Sequence, residues 1–321
     1  MPIVSTGNSY TNLLTSTMEM IVPGLQDNIF DDLPLWKKIN SRGGVRKNGS
    51  GESIQYSVEY AQQTQQKSYS GYDILDTTPH EFMMRTIYNW KEYATPITIS
   101  GIDKAKNSGS KTKILDLLGE KASNATSSLR DDLSVDTYGA GTENDSKVIV
   151  GLQGLVADTP TTGTVGSLDS SVYTWWRNQY TNSAGSFAGG GLGYMRTMYN
   201  KCTFGSKQPD MLVTTQDVHE FYEGSLQPQQ RFASTDEADG GFITLLFKRK
   251  PVFFDRDCGS GRMYFLNLDH LRLDILGGFD FKTTPFVTPA DQDVAIAQLM
   301  FKGALTTGNR RMHGVITGIT A

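Results

Sequence analysis

Cysteine is nearly absent: Cys202 and Cys258 are the two in 321 residues. Two thiols cannot supply a disulfide framework for a chain of this size, so both are expected to be reduced. An excess of positive charge is missing too. The 30 lysines and arginines are outnumbered by 34 aspartates and glutamates, giving a formal charge of −4 and an isoelectric point near 5.6. Proteins that grip nucleic acid over a broad face carry a basic excess, so any such contact here must be local or weak. No run approaches about eighteen consecutive apolar residues, and no membrane partner is expected. The opening residues, MPIVSTGNSYTNLL, lack the basic start and apolar core of a secretion signal. Proline is scarce, 11 residues beside 33 glycines, a balance that favours β turns and bulges over a disordered linker.

The motifs of catalysis and cofactor binding are missing as well. No G-x-x-x-x-G-K-[ST] occurs, and the glycine run Gly189–Gly191 has no lysine after it. No G-x-S-x-G elbow is present. The four histidines, His80, His219, His270 and His313, are scattered, and none forms H-E-x-x-H; they are expected as ordinary surface or turn residues. The stretch DRDCGSG, Asp255 to Gly261, begins like a calcium loop but has Leu266 where the closing glutamate belongs, so it reads as a tight turn. The pair Asp131–Asp132 consists of sequence neighbours, which do not face one another, and reads as solvated charge. Trp175 and Trp176 are expected to divide their labour, one ring in the core and one at an interface. No catalytic residue, metal ligand or cofactor is expected.

What is present is a succession of extended pieces. Residues 1–50 read as an arm in which small apolar groups recur without a sustained period and are broken by Pro23, Gly24 and Pro34. Phe30 and Trp36 argue that it lies against a surface, because a free tail rarely exposes such side chains. Over 51–100 the pattern is that of an elongated β hairpin. Ile54, Tyr56, Val58 and Tyr60 share one face, and Phe82, Met84, Tyr88 and Trp90 share the face of the return path. A further strand, EYATPITIS, follows. The tip is rich in glutamine, with nothing apparent to bury. Residues 106–139 predict a helix capped by Asn107, Ser108 or Ser110, with Ile114, Leu118, Ala122, Ala125, Leu129 and Leu133 in one stripe. The region 151–250 reads as an α/β lobe. In it SAGSFAGGG is a loop, MLVTTQDVHEFYEG is a buried strand running into a helix capped by Thr215, and Lys248–Arg249–Lys250 is a basic turn between two short strands. GFDFKTTPFV reads as a strand, and the last thirty residues as a hairpin turning near TTGN. Lys37, Lys38, Arg42, Arg46 and Lys47 cluster where arm meets hairpin, and Arg310–Arg311 sit in the last turn. Both sets suit either phosphate contact or charged rims facing acidic patches on a neighbour.

Six segments in this order carry a resemblance: FDDLPLWKKI at 30–39, GSGESIQYSVEYAQQTQQKSYSGYDIL at 49–75, EYATPITISGIDKAKNSG at 92–109, PDMLVTTQDVHEFYEGSLQPQQRF at 209–232, GGFITLLFKRKPVFFD at 240–255 and GRMYFLNLDHLRL at 261–273. The chain resembles the major capsid proteins of tailed bacteriophages over nearly its whole length. That resemblance implies an α+β fold: an N-terminal arm (1–50), an extended loop (51–100), a peripheral domain with a long spine helix (101–150), an axial domain (151–260) and return strands (261–321). It implies a structural protein, not an enzyme, that forms hexamers and pentamers of an icosahedral head around packaged double-stranded DNA. Its partners would be copies of itself, a separate scaffolding protein, a portal, a decoration protein and, weakly and without specificity, the DNA. It would reside in the virion after assembly in the host cytoplasm. Gln62, Gln63, Gln65, Gln66, Tyr69, Tyr72, Phe30 and Trp36 would contact neighbouring subunits. Lys37, Lys38, Arg42, Arg46 and Lys47 would face DNA or form rims. Some relatives join a loop lysine to a neighbour's asparagine. Lys67 and Lys91 are the nearby lysines here, and with no carboxylate arranged to catalyse that bond, non-covalent contacts are expected. Two other readings are an encapsulin-like compartment shell and a phage carbohydrate-binding protein that uses Trp175 and Trp176.

Overall fold

A computed structural model describes residues 33–62, 65–103, 111–226 and 245–321. Phe30, Gln63 and the expected caps Asn107, Ser108 and Ser110 lie outside the described residues.

The first described element is a helix, α1 (Pro34–Ser41), where the sequence suggested an extended arm. Proline breaks a helix interior but suits the first helical position, because its φ is preset and no intrahelical N–H is lost there. Leu35, Trp36 and Ile39 then fall on one side and are buried. In chain order there follow β1 (Val45–Gly49), β2 (Ser53–Glu59), β3 (Met83–Asn89), β4 (Lys91–Ser100) and the long helix α2 (Lys111–Tyr138). After α2 come short pieces β5 (Thr164–Val165), β6 (Leu168–Asp169), β7 (Gln179–Thr181) and β8 (Gly185–Ser186), then α3 (Phe187–Cys202), β9 (Met211–Thr214) and α4 (Gln216–Leu226). The remainder is β10 (Leu245–Phe247), β11 (Lys250–Phe254), β12 (Met263–Leu266), β13 (Leu271–Leu276), β14 (Lys282–Thr283), β15 (Val294–Thr307), β16 (Gly314–Ile316) and β17 (Ile319–Thr320).

Two sheets organise the chain. In the first, β1 lies at one edge, parallel to β13; β13 is antiparallel to β15, and β15 also pairs with β14 and β4. Helix α2 packs on β4, and its stripe Leu118, Ala122, Ala125, Leu129 and Leu133 is buried, as the four-residue spacing predicts. Its 28 residues make a rod of roughly 42 Å. The second sheet runs β10-β11-β9-β12-β16-β7. Every residue of β9 and β12 is buried. Met211, Val213, Tyr264 and Leu266 join the core that includes α1 and α2, while Leu212, Met263 and Phe265 join the core beneath α3 and α4. A strand covered on both faces reads as a continuous apolar run, and this one does.

Several expectations change. The glycine run 189–191 lies in the first turns of α3, where it was read as a loop. Each interior glycine costs about 1 kcal/mol of helix propensity, which the buried Phe187, Met195, Met198 and Tyr199 offset. Close approach of α3 to the second sheet needs Gly314, since a Cβ there would meet the Met198 and Cys202 side chains. The strand EYATPITIS belongs to the first sheet through β15, not to the hairpin. The last thirty residues are no hairpin either: β15 lies in the first sheet and β16 in the second, and residues 308–313 carry the chain between them. Of GFDFKTTPFV, Lys282–Thr283 forms a strand, with one further bridge from Val287 to Ile296. The Thr215 hydroxyl is buried without a hydrogen-bond partner, so the side-chain cap expected for α4 is not made.

Residues 139–155 fold back over the end of α2. A Cβ on Gly151 would collide with the carbonyls of Asp136 and Thr137. Gly151→Ala is therefore expected to lower stability by about 1–3 kcal/mol, the range for overpacking. Gly119, in α2 with open space around it, should respond oppositely, with Gly119→Ala gaining about 0.5–1 kcal/mol. Urea unfolding midpoints of the two variants check the contrast.

Candidate assembly surface

Strands β2 and β3 pair antiparallel from Ser53 opposite Asn89 to Glu59 opposite Met83. One face is fastened to the body. Ile54 and Tyr88 enter the main core, while Val58 packs with Leu168 and Trp176. The Tyr88 hydroxyl donates to the Thr307 carbonyl at 2.9 Å, and the Tyr56 hydroxyl donates to Asp274 at 2.5 Å. The Ile87 N–H donates to the Gly166 carbonyl at 3.0 Å. At the far end Tyr60 stacks on Trp175, 5.2 Å between centroids, and the Trp176 indole donates to the Val165 carbonyl at 2.9 Å. Trp176 is fully buried, as expected of one ring of the pair, while Trp175, which the sequence reading put at an interface, stacks on Tyr60 of its own chain.

Beyond Tyr60 the anchoring ends. Among the described residues from 61 to 82 the hydrogen bonds are local: Gln65 donates to the Thr78 carbonyl at 2.8 Å, the Ser70 N–H to Asp73, and the Thr78 N–H to Asp76. Tyr72 is fully exposed, Ile74 is 88% exposed and Tyr69 65%, while Leu75, Phe82 and Met83 are also exposed. Large apolar side chains gathered on one projection mark a surface meant for burial elsewhere. Gln62 and Gln66 are exposed with Tyr69 and Tyr72, but Gln65 spans the two limbs of the loop itself. The apolar members Ile74 and Leu75 escaped the sequence reading, and Phe82, read on the face shared with Met84, Tyr88 and Trp90, is exposed. The signal for Ile74 and Leu75 was D-I-L, an apolar pair in an otherwise polar stretch.

Trp36 is placed differently. It is 1% exposed, its indole donates to Thr137 Oγ1 at 2.9 Å, and its ring tilts against Phe301. It is a core residue of its own subunit, with no surface left for a neighbour. The five basic residues do not form one cluster. Arg42 meets Asp210 at 3.3 Å, and Lys250 meets the same carboxylate at 2.9 Å. Lys47 meets Asp280 at 2.8 Å. Lys38 lies over Phe253 and Arg46 over Tyr56, while Lys37 is exposed. Arg310, read as half of a surface pair, is buried among neutral acceptors. His313 is buried as well. Its Nδ1 accepts from the Asn267 N–H, its Nε2 lies 3.0 Å from Thr307 Oγ1, and burial pulls its pKa down to about 3. His219 is buried too. Both thiols are buried, which pushes each pKa up to about 12. Lys91 donates to the Ser146 carbonyl.

Among solved structures, a cyanophage A-1(L) capsid asymmetric unit superposes with a TM-score of 0.65, at 17% identity, over 86% of this chain and 90% of that chain. The chain has the capsid fold of tailed phages. The capsid of an empty GTA particle matches at a TM-score of 0.58 and 10% identity, over 87% of this chain and 89% of that one. A satellite phage P4 procapsid that includes the size determination (Sid) protein matches at 0.54 and 9% identity, over 93% and 90%. No protein-family model and no curated protein matches the sequence.

Proposed function

We propose that the chain is the shell subunit of a tailed-phage head, assembling with copies of itself into hexamers and pentamers that close around packaged double-stranded DNA. The observation that carries this is the loop 61–82, whose described residues expose tyrosine, isoleucine and leucine on a capsid fold. Such a surface is costly in a solitary protein and useful when every copy covers its neighbour's, because contacts in a head-to-tail ring close on themselves. Gln62, Gln66, Tyr69 and Tyr72 serve as contacts between subunits in this reading. A separate scaffolding protein, a portal and a decoration protein complete the particle, and the virion is its location.

Electron microscopy of the purified full chain, alone and with co-expressed scaffold, tests the reading. Closed shells or free hexamers and pentamers are the expected result. A monodisperse monomer at high concentration sinks it. Small shells filled with protein and never with DNA point instead to a cellular compartment.

A further inference from the structure

A band of positive charge crosses the edge of the first sheet where β1 and β13 meet the 308–313 turn. The Lys207 ammonium lies 3.2 Å from His270 Nε2, with no carboxylate between them. A contact of that kind needs a neutral imidazole. His270 has its pKa lowered by burial first and by Lys207 next. The His270 carbonyl accepts from the Gly308 N–H at 2.9 Å, which brings the 308–313 turn alongside. From that turn Arg311 reaches over the ring of Phe204, 4.7 Å from its centroid, and Phe204 itself is 54% exposed. Phe204 and Lys207 are joined by a two-way backbone bridge.

Arg272, two residues after His270 and already in β13, is close enough to depress the His270 pKa as well. Its guanidinium lies over the Tyr56 ring at 5.2 Å, and Arg46 of the neighbouring β1 lies over that ring at 5.5 Å. The acids nearby do little to neutralise the outward side. Asp274 is buried beneath Tyr56 and bonded to it and to Thr306, while Asp269 is exposed beside His270. A chain of net charge −4 has thus gathered cations along one edge and backed three of them with aromatic rings.

We propose that Arg46, Lys207, Arg272 and Arg311 form a binding surface for the phosphate backbone of nucleic acid. Guanidinium planes laid against rings are held in place while their N–H edges stay free for phosphate oxygens. Docking between protein copies sets opposite charges in register, whereas a phosphodiester chain is uniformly negative and needs charge and access without register. A short band on an otherwise acidic protein gives loose contact that a packaged polymer can slide across. The inference assigns the DNA-facing side within the shell reading, yet it is tested separately from assembly.

The test is fluorescence anisotropy of the purified full chain with a labelled 20-base-pair duplex of random sequence. With about four phosphate contacts, log affinity falls against log salt with a slope of about −3.6, a loss of roughly 150-fold between 50 and 200 mM salt. Lys207→Glu with Arg311→Glu should bring the slope to about −1.8 or less. Lys147→Glu with Lys282→Glu, an equal charge change at exposed positions outside the band, should leave it near −3.6. Should the reversal variant fail to fold by circular dichroism, Lys207→Gln with Arg311→Gln is expected to give the same fall in slope. No binding at 50 mM salt, an unchanged slope in the band variants, or an equal fall in the control pair overturns the proposal. So does binding of a glutamate polymer without binding of DNA. Microscopy of the same preparations separates the two claims: normal shells with no DNA affinity defeat this one alone, and DNA affinity in a chain that never assembles defeats the other.

Discussion

Tyr72→Asp, Ile74→Asp and Leu75→Asp combined are expected to abolish shell formation while leaving the isolated subunit as stable as before. In the subunit Tyr72 and Ile74 are almost wholly in water and Leu75 is half exposed. Surface changes of this kind move folding stability by no more than about 0.5 kcal/mol. In an assembly the same side chains are a large part of the apolar area the loop can offer. Each contributes about 1.5–3 kcal/mol when buried, less about 0.5–1.5 kcal/mol for ordering. The net for three is a few kcal/mol per contact, and about 4 kcal/mol is nearly a thousandfold in the contact's equilibrium constant. A closed shell repeats that contact at every subunit, so the deficit compounds. Buried aspartates add a desolvation cost on top. Sedimentation and electron microscopy give the readout for assembly, and a thermal melt gives it for folding. Normal shells from the triple variant would remove the loop from the interface. A melt lowered by several degrees would show that the loop supports its own subunit.

The loop also shows what could be read in advance and what could not. The alternation of Ile54, Tyr56 and Val58, and the stripe from Leu118 to Leu133, were legible because each repeats one period long enough to fix a buried face. The fold class itself came from the resemblance carried by the six segments, which these stretches accompany. Within the loop no period exists, and the reading settled on the glutamines with Tyr69 and Tyr72, while the exposed Ile74 and Leu75 went unread. Three other failures share one cause, a local signal overridden by packing. Pro34 read as a break where it starts α1. Gly189–Gly191 read as a loop where α3 begins. Two apolar runs around TTGN read as a hairpin, yet each finds its partners in a different sheet. Trp36 was credited to a neighbour because it stands in a segment read as an arm lying across a surface. Thr137, more than a hundred positions away, holds its indole, and sequence proximity carries no trace of that.

Arg310→Leu is expected to destabilise the subunit by about 3–5 kcal/mol, because it leaves three buried acceptors unpaired at about 1–3 kcal/mol each, less the desolvation of the lost cation. Arg310 is 1% exposed. Its Nε donates to the Leu155 carbonyl at 2.5 Å, Nη1 to Ser170 Oγ at 2.8 Å and Nη2 to Asn178 Oδ1 at 3.0 Å. Asn178 is in turn bonded in both directions to the backbone of Ala157. One guanidinium therefore ties residues 155, 170 and 178 to the crossing between β15 and β16, where the two sheets are joined. Burial lowers its pKa to about 10, so at neutral pH it stays charged and all three bonds are charge-assisted. Leucine supplies no donor, and each acceptor left unpaired costs about 1–3 kcal/mol, partly offset because the cation no longer has to be desolvated. Arg310→Lys keeps the charge but not the planar fork, so it should lose more than half as much. Arg311→Leu, one residue on and exposed, should cost no more than about 0.5 kcal/mol. Guanidinium-chloride unfolding of dispersed subunits measures all three. A loss below about 1 kcal/mol for Arg310→Leu would mean that the crossing holds without its arginine. A loss for Arg311→Leu as large as for Arg310→Leu would place the stabilising charge on the surface after all.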